Sequence, residues 1–399
     1  MGVVWLMWFD HSSNSGRLLL MLLAVIGVGI AVWRRCGDKG CGAALVRGWW
    51  HRRLWRENAG PLGLAGPDGQ AGRVVSVVGD EWGTTSTYRL WPGQGPAAFE
   101  ARAVELAHAM GVLTARVSSP GPGLVMVRYL TGDPLGAVSL RPWPLMSVAR
   151  WQLGDAVPSG VGEDGRVVTV ALWSSSVLLA GSPGSGKSAT MWLLVLAAML
   201  DPSVRLMAVD LKGGVELGLV ASRAERLATT LDDAVAVIDD ALVEVSGRYG
   251  VLRERGLRKV ESGDPSMPPL VVVIDELAEL TGTGSKESKA AGESLRRLVA
   301  TGRAAGVTVI AATQKPSSDV VPTGLRDLFA TRIGLRCGMR GQAETIAPEI
   351  AGELTKIPAS QPGTAYVVDE GGSWQRFRAW YLTDDMVRQV ASAAEAARS

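Results

Sequence analysis

Hydrophobicity changes period twice along the chain. Leu18 to Trp33 (LLLMLLAVIGVGIAVW) is an uncharged run of sixteen residues with no polar stripe, about 24 Å of helix at 1.5 Å per residue. It predicts one transmembrane helix over residues 17–34, with Arg17 and Arg34 reaching to the two interfaces. A cleaved signal peptide fits less well, because the run exits into Arg34-Arg35 and not into a small-residue site. Residues 73–150 carry short β-type runs (VVSVV, TYRL, LTARV, GLVMVRYL) around one helical stretch, Ala97 to Met110. They predict a small α/β domain. From residue 151 to the end, strand-length apolar runs (VLLA, VRLMAVD, LVVVI, VTVIA, TRIGL) alternate with helical patterns. Val235, Ile238, Leu242, Val245, Tyr249 and Leu252 recur at spacings of three and four, as the buried stripe of a helix requires. This alternation predicts an α/β fold, a mostly parallel sheet covered by helices on both faces.

Between the span and the small domain, residues 35–72 read as a basic juxtamembrane segment and linker. Trp49 to Arg56 (WWHRRLWR) mixes rings with cations. It suits a segment lying among lipid headgroups, a nucleic-acid contact or an amphipathic lead into the next domain, and the interfacial position is preferred. Gly60 to Gly72 (GPLGLAGPDGQAG) has linker composition. Arg34, Arg35, Lys39, Arg47, Arg52 and Arg53 follow the span and only Arg17 precedes it. The positive-inside bias therefore predicts a single-pass protein of the cell membrane, with residues 1–16 as a short extracytoplasmic N-terminus and the rest cytoplasmic.

Composition narrows the picture modestly. A net charge of +2 is too small to announce a polyanionic partner. Three cysteines exclude a disulfide framework, and Cys36, Cys41 and His51 lack the second close pair of ligands that a zinc site needs.

The chemistry is concentrated after VLLA, where Gly181-Ser182-Pro183-Gly184-Ser185-Gly186-Lys187-Ser188-Ala189 opens a helix-like run. This is the G-x-x-x-x-G-K-[ST] pattern in its strand, loop, helix context. Glycines let successive N–H groups face a phosphate, and the helix N-terminus adds to that field. Lys187 is then expected on the β and γ phosphates of ATP and Ser188 on magnesium (Mg2+). LVVVI ends in Asp275-Glu276, which supplies a metal carboxylate (Asp275) and a group to orient and deprotonate the attacking water (Glu276). After VTVIA, Gln314 is a candidate reader of the γ-phosphate, with a loop-capping role as the alternative. Arg303, just before that strand, suits either a plain surface charge or an arginine finger directed into a neighbouring subunit.

Taken in order, SSSVLLAGSPGSGKS, AVDLKGGVEL, EVSGRYGVLRERGLRKVE, PLVVVIDELAEL and GRAAGVTVIAATQKPSSDVVPTGLRDLFATRIGL resemble the FtsK/SpoIIIE family of DNA translocases, and residues 73–150 resemble the small α/β domain that precedes its motor. The resemblance implies a P-loop NTPase (RecA-like) motor over residues 151–399, ATP and Mg2+ as ligands, and double-stranded DNA through the pore of a homo-oligomeric ring, a hexamer, with Arg303 acting in trans. One span, and an end about fifteen residues past Asp384 that leaves no room for a sequence-reading winged helix, look more like the transfer proteins of actinomycete conjugative plasmids and integrated elements. A role in chromosome segregation is the alternative. Type VII protein-secretion motors share the fold and ATP-site motifs but usually string several ATPase domains together. An ATP-dependent scaffold without translocation is disfavoured by the intact Lys187, Asp275 and Glu276.

Overall fold

Gly48, His51, Trp55 and Ala59 are buried at spacings of three, four and four, so the Trp- and Arg-rich run is one stripe of a helix, Cys41–Asn58, docked onto a sheet. The structure, a computed structural model, describes residues 41–80, 82–136, 142–148, 150–282 and 284–396. The predicted span at 17–34 and the segment before it lie outside these. Among the described residues no helix is long and apolar enough to cross a membrane. The chain divides after Asp133 into two units.

The first unit holds four antiparallel strands, β1 (Val74–Gly79), β2 (Gly83–Arg89), β3 (Thr114–Gly121) and β4 (Leu124–Leu130), in the order β1-β2-β4-β3. Alternation places Thr84, Ser86 and Tyr88 of β2, and Val125, Val127 and Tyr129 of β4, on the buried face. Trp55 packs there against Tyr88 (ring centroids 4.4 Å apart) and Phe99 (5.7 Å). Its indole N–H donates to the Gly72 carbonyl at 2.7 Å. The two tyrosine hydroxyls share a buried 2.9 Å hydrogen bond, and burial pushes the Tyr88 phenol up to about 12.

Two sequence expectations are corrected here. Residues 41–72 belong to the fold of this unit, with Trp55 and Leu64 each 1% exposed, although Trp49 and Trp50 do stay exposed. Gly60–Gly72 returns across the helix, bridging Ala65 to Ala71. A Cβ at Gly66 would sit 2.5 Å from the Trp91 ring, so the glycine there permits close packing, not linker freedom. Second, the motor begins well before residue 151. Trp143 and Leu145 are in its core, and the Trp143 indole donates to the Pro158 carbonyl at 2.9 Å.

The second unit is built on a ten-stranded sheet among the described residues, adding β5 (Val157–Gly162), β6 (Val167–Val170), β7 (Val177–Ala180), β8 (Arg205–Val209), β9 (Arg226–Ala228), β10 (Leu270–Ile274), β11 (Val307–Thr313), β12 (Thr331–Leu335), β13 (Thr364–Val368) and β14 (Trp374–Ala379). Its order is β6-β5-β14-β13-β12-β7-β11-β10-β8-β9. The six strands from β12 to β9 are parallel, as expected. Four antiparallel strands that the apolar pattern did not predict extend the sheet beyond β12.

Alternation splits the central strands between two cores. Val177, Leu179, Val271 and Val273 join the helices Lys187–Leu200 and Asp384–Ala396 on one face. Leu178, Ala180, Leu270, Val272 and Ile274 join Leu231–Glu254 and Lys286–Gly302 on the other.

Trp55→Ala is expected to destabilise the first unit by about 3–5 kcal/mol, the usual cost of removing a buried indole, measurable by denaturant unfolding. An unchanged midpoint would return residues 41–72 to the linker reading. Burial, and then the neighbouring Arg47 charge, lower the His51 pKa below 6.5. The unfolded chain therefore binds the proton more readily, so this contribution is complete above pH 6.5 and lost as the pH falls through the lowered value. His51→Gln should flatten that acid-side slope of unfolding stability.

Candidate functional site

Parallel register aligns the carboxyl ends of the central strands, where loops can converge. Ala180 of β7 pairs with Thr313 of β11, and Ile274 of β10 pairs with both Ala311 of β11 and Val209 of β8. The loop after β7, Asp210, Asp275-Glu276 and Thr313 consequently share one edge.

The glycine loop is shaped from within and held from outside. Gly184 and Gly186 take φ of 72° and 94°, a region closed to most side chains. A Cβ on Gly186 would lie 2.4 Å from the Gly363 amide. Ser182 N–H donates to the Arg336 carbonyl at 2.8 Å, Gly338 N–H to Ser182 Oγ at 2.9 Å, and the Arg336 guanidinium to the Pro183 carbonyl at 3.1 Å. Gly363 N–H donates to the Ser185 carbonyl at 2.7 Å. Ser185 Oγ is buried with no hydrogen-bond partner. Such a backbone cradle with an orphaned hydroxyl fits an anionic ligand. Gly181–Ala189 leads into the helix Lys187–Leu200, with Ser188 and Ala189 half-buried in its first turn.

Lys187, 4% exposed, donates to the Asp275 carbonyl and to its Oδ1, both at 3.1 Å. Asp275 is fully buried and its N–H donates to the Val209 carbonyl, so the strand ladder aims it. Glu276 Oε1 accepts from Thr313 Oγ1 at 2.7 Å and from the Gln314 N–H at 3.0 Å, and it also caps the following short helix at the Ala278 N–H. A second cation, Lys212, donates to Asp275 Oδ2 at 3.0 Å and to Glu276 Oε2 at 3.4 Å. Burial opposes its charge, but these two carboxylates outweigh burial and raise its pKa. Two lysines and two carboxylates thus neutralise one another in a site too buried to hold an unpaired charge.

The structure brings together Gly181–Ala189, Asp275, Glu276 and Gln314. Gln314 meets Glu276 through its main-chain N–H, and the Thr313 hydroxyl is the side chain in contact. Arg303 is elsewhere. It precedes β11, at the amino end of a strand of seven residues, roughly 20 Å long at 3.3 Å per residue, and makes an exposed two-pronged ion pair with Glu370 at 3.0 and 2.9 Å. Lys212, Thr313, Arg336 and Gly363 were not selected from sequence. Lys212, inside AVDLKGGVEL, and Thr313, directly before Gln314 in VTVIAATQKP, both lay within the family motifs, whereas Arg336 and Gly363 did not. Among the described residues no three His, Cys, Asp or Glu side chains gather as a metal site of their own. Asp275 with Ser188 is the smaller donor set that suffices for a magnesium whose other ligands are phosphate and water.

Nucleotide phosphate is the ligand this edge accommodates, and the motor unit is a P-loop ATPase. Comparison with known proteins agrees. Residues 146–269 and 262–318 match the FtsK/SpoIIIE family, and residues 70–131 match the actinomycete conjugal transfer protein N-terminal domain. A sporulation regulatory protein of Streptomyces azureus is 32% identical over 225 residues, covering 53% of this chain and 74% of that protein. The chain belongs to the FtsK/SpoIIIE family. DNA translocase FtsK of Staphylococcus aureus is 26% identical over 329 residues, 76% of this chain, which spans only 40% of that longer protein. The monomer form of the pCW3 conjugation coupling protein TcpA with ATPγS superposes with a TM-score of 0.58 at 22% identity, covering 85% of this chain and 98% of that one, a likeness of fold.

Thr313→Val should leave nucleotide affinity unchanged and slow turnover about tenfold or more, the cost of one lost hydrogen bond to a charged group. Parallel binding and phosphate-release assays separate the two effects.

Proposed function

We propose that the chain is a membrane-anchored, ATP-driven translocase of double-stranded DNA that serves intercellular, conjugative transfer. The observation carrying the choice of role is the match of residues 70–131 to an actinomycete conjugal transfer domain ahead of a motor whose Lys187, Asp275 and Glu276 are intact. The cell-membrane location rests on residues 17–34 and the cationic residues after them, which leave the motor cytoplasmic.

In the working site, the N–H groups of Gly186–Ala189 and the Lys187 ammonium bind the ATP phosphates. Ser188 and Asp275 would hold magnesium, which would supply neutralisation of phosphate charge when bound. Glu276, fixed by Thr313 and the Gln314 N–H, orients the attacking water and accepts its proton. Arg303 lies too far from its own Glu276 to serve it. Its exposure supports action on a neighbour's nucleotide in a hexameric ring, with Glu370 holding the guanidinium until the neighbour docks. DNA is gripped through phosphates, so binding and stimulated turnover fall steeply with salt.

Lys187→Ala should abolish nucleotide binding or turnover. Glu276→Gln should retain ATP while turnover drops about 10²–10⁴-fold, the range of a lost general base. Arg303→Ala alone should lose about 10³-fold or more, and mixing it with Lys187→Ala subunits should restore part of the rate, because each supplies what the other lacks. The decisive test is the ATPase rate of the chain from residue 41 onward, with and without duplex DNA, across protein concentration and salt. Cooperative, salt-sensitive stimulation is expected. Its absence in a fragment that binds ATP and assembles would favour protein export.

A further inference from the structure

Asp210, at the end of β8, is fully buried and has no role in the chemistry above. Its Oδ1 accepts from the Lys212 N–H at 3.1 Å, and its Oδ2 from the Glu216 and Leu217 N–H groups at 2.9 and 2.8 Å. Gly213 and Gly214, at φ of 78° and 77°, let the chain close around that carboxylate. The motif Asp210-Leu-Lys-Gly-Gly-Val-Glu-Leu217 therefore folds into a preformed loop. It has one side chain, Lys212, turned onto the catalytic carboxylates, and a tip, Val215, 82% exposed. Asp275 is doubly committed, with Oδ1 taken by Lys187 and Oδ2 by Lys212. Lys187 is released when phosphate arrives to take it. Lys212 has no such substitute in the loop described, and an ammonium 3.0 Å from Oδ2 repels a divalent cation seeking the same carboxylate.

We infer that Lys212 is a positioning residue that competes with magnesium for the Asp275 carboxylate. It keeps Asp275 and Glu276 paired and aimed, and yields Asp275 when the metal–nucleotide complex loads, so that the 211–217 loop responds to occupancy. This rests on the reading of Asp275 as the magnesium carboxylate. Because Asp210 clamps the loop through main-chain N–H groups, independently of the Lys212 side chain, neutralising the lysine removes the competitor without removing the loop.

The test is titration of ATPγS with and without magnesium into wild type, Lys212→Ala, Lys212→Gln and Lys212→Arg, with hydrogen exchange followed at residues 211–217. The two neutral variants should bind magnesium-ATPγS about 2- to 5-fold tighter, the range of one partly exposed ion pair. Metal-free affinity should stay the same, and Lys212→Arg should resemble wild type. In wild type, exchange across 211–217 should change on adding magnesium-ATPγS and not ATPγS alone, and the neutral variants should lose that difference. Weaker magnesium-ATPγS binding in both neutral variants would make Lys212 a phosphate ligand and overturn the inference, as would unchanged affinity with unchanged exchange. Should wild type bind ATPγS equally with and without magnesium, the metal role of Asp275 fails first and the inference with it.

Discussion

The pairing of Lys187 with Asp275 is the constraint on which the motor's architecture turns. A lysine 4% exposed and a fully buried aspartate tolerate burial only together. They meet only if the strand before the glycine loop and the strand before Asp275 end level with each other, one strand apart. β7, β11 and β10 satisfy this through an unbroken parallel register, Ala180 to Thr313 and Ala311 to Ile274. The apolar strands and the helices on both faces can be understood as the scaffold that holds this register. The same register delivers Thr313 to Glu276 and Asp210 to the loop carrying Lys212.

Around that edge, the glycine loop depends on chain that is remote in sequence. Arg336, Gly338 and Gly363 clasp it from β12 and the approach to β13. The antiparallel extension β13-β14-β5-β6 thus does more than widen the sheet, since it brings Gly363 to the Ser185 carbonyl. The same hairpin carries Glu370 to Arg303, so one addition to the parallel core touches both the nucleotide loop and the arginine that lies far from it. In the first unit, an aromatic cluster around Trp55 has the organising part, and it recruits a segment whose composition suggested a linker.

The ATP site was legible because its demands are local. A phosphate cradle needs glycines, a lysine and a hydroxyl in one contiguous stretch, and the carboxylates sit at the end of an apolar strand of β-branched residues, so Gly181–Ser188 and Asp275-Glu276 are visible without a fold. β5 and β14 were not, because Pro158 and two glycines interrupt the one and two arginines the other, and the short β13 run is buried by those same neighbours. Lys212 passed as one more charge in a motif.

By itself, then, the sequence determined the alternation of strand and helix, the parallel core, the phosphate-binding loop and the carboxylates, since each follows from the period or spacing of adjacent residues. Only the tertiary structure decided that Thr313 and the Gln314 main chain hold Glu276, that Lys212 shares Asp275 with Lys187, that Trp55 is core, and that Arg303 stands about a strand's length from its own nucleotide edge. Those facts depend on which strands become neighbours and in what register. That is settled by burying two apolar faces at once and not by any local preference of the residues involved.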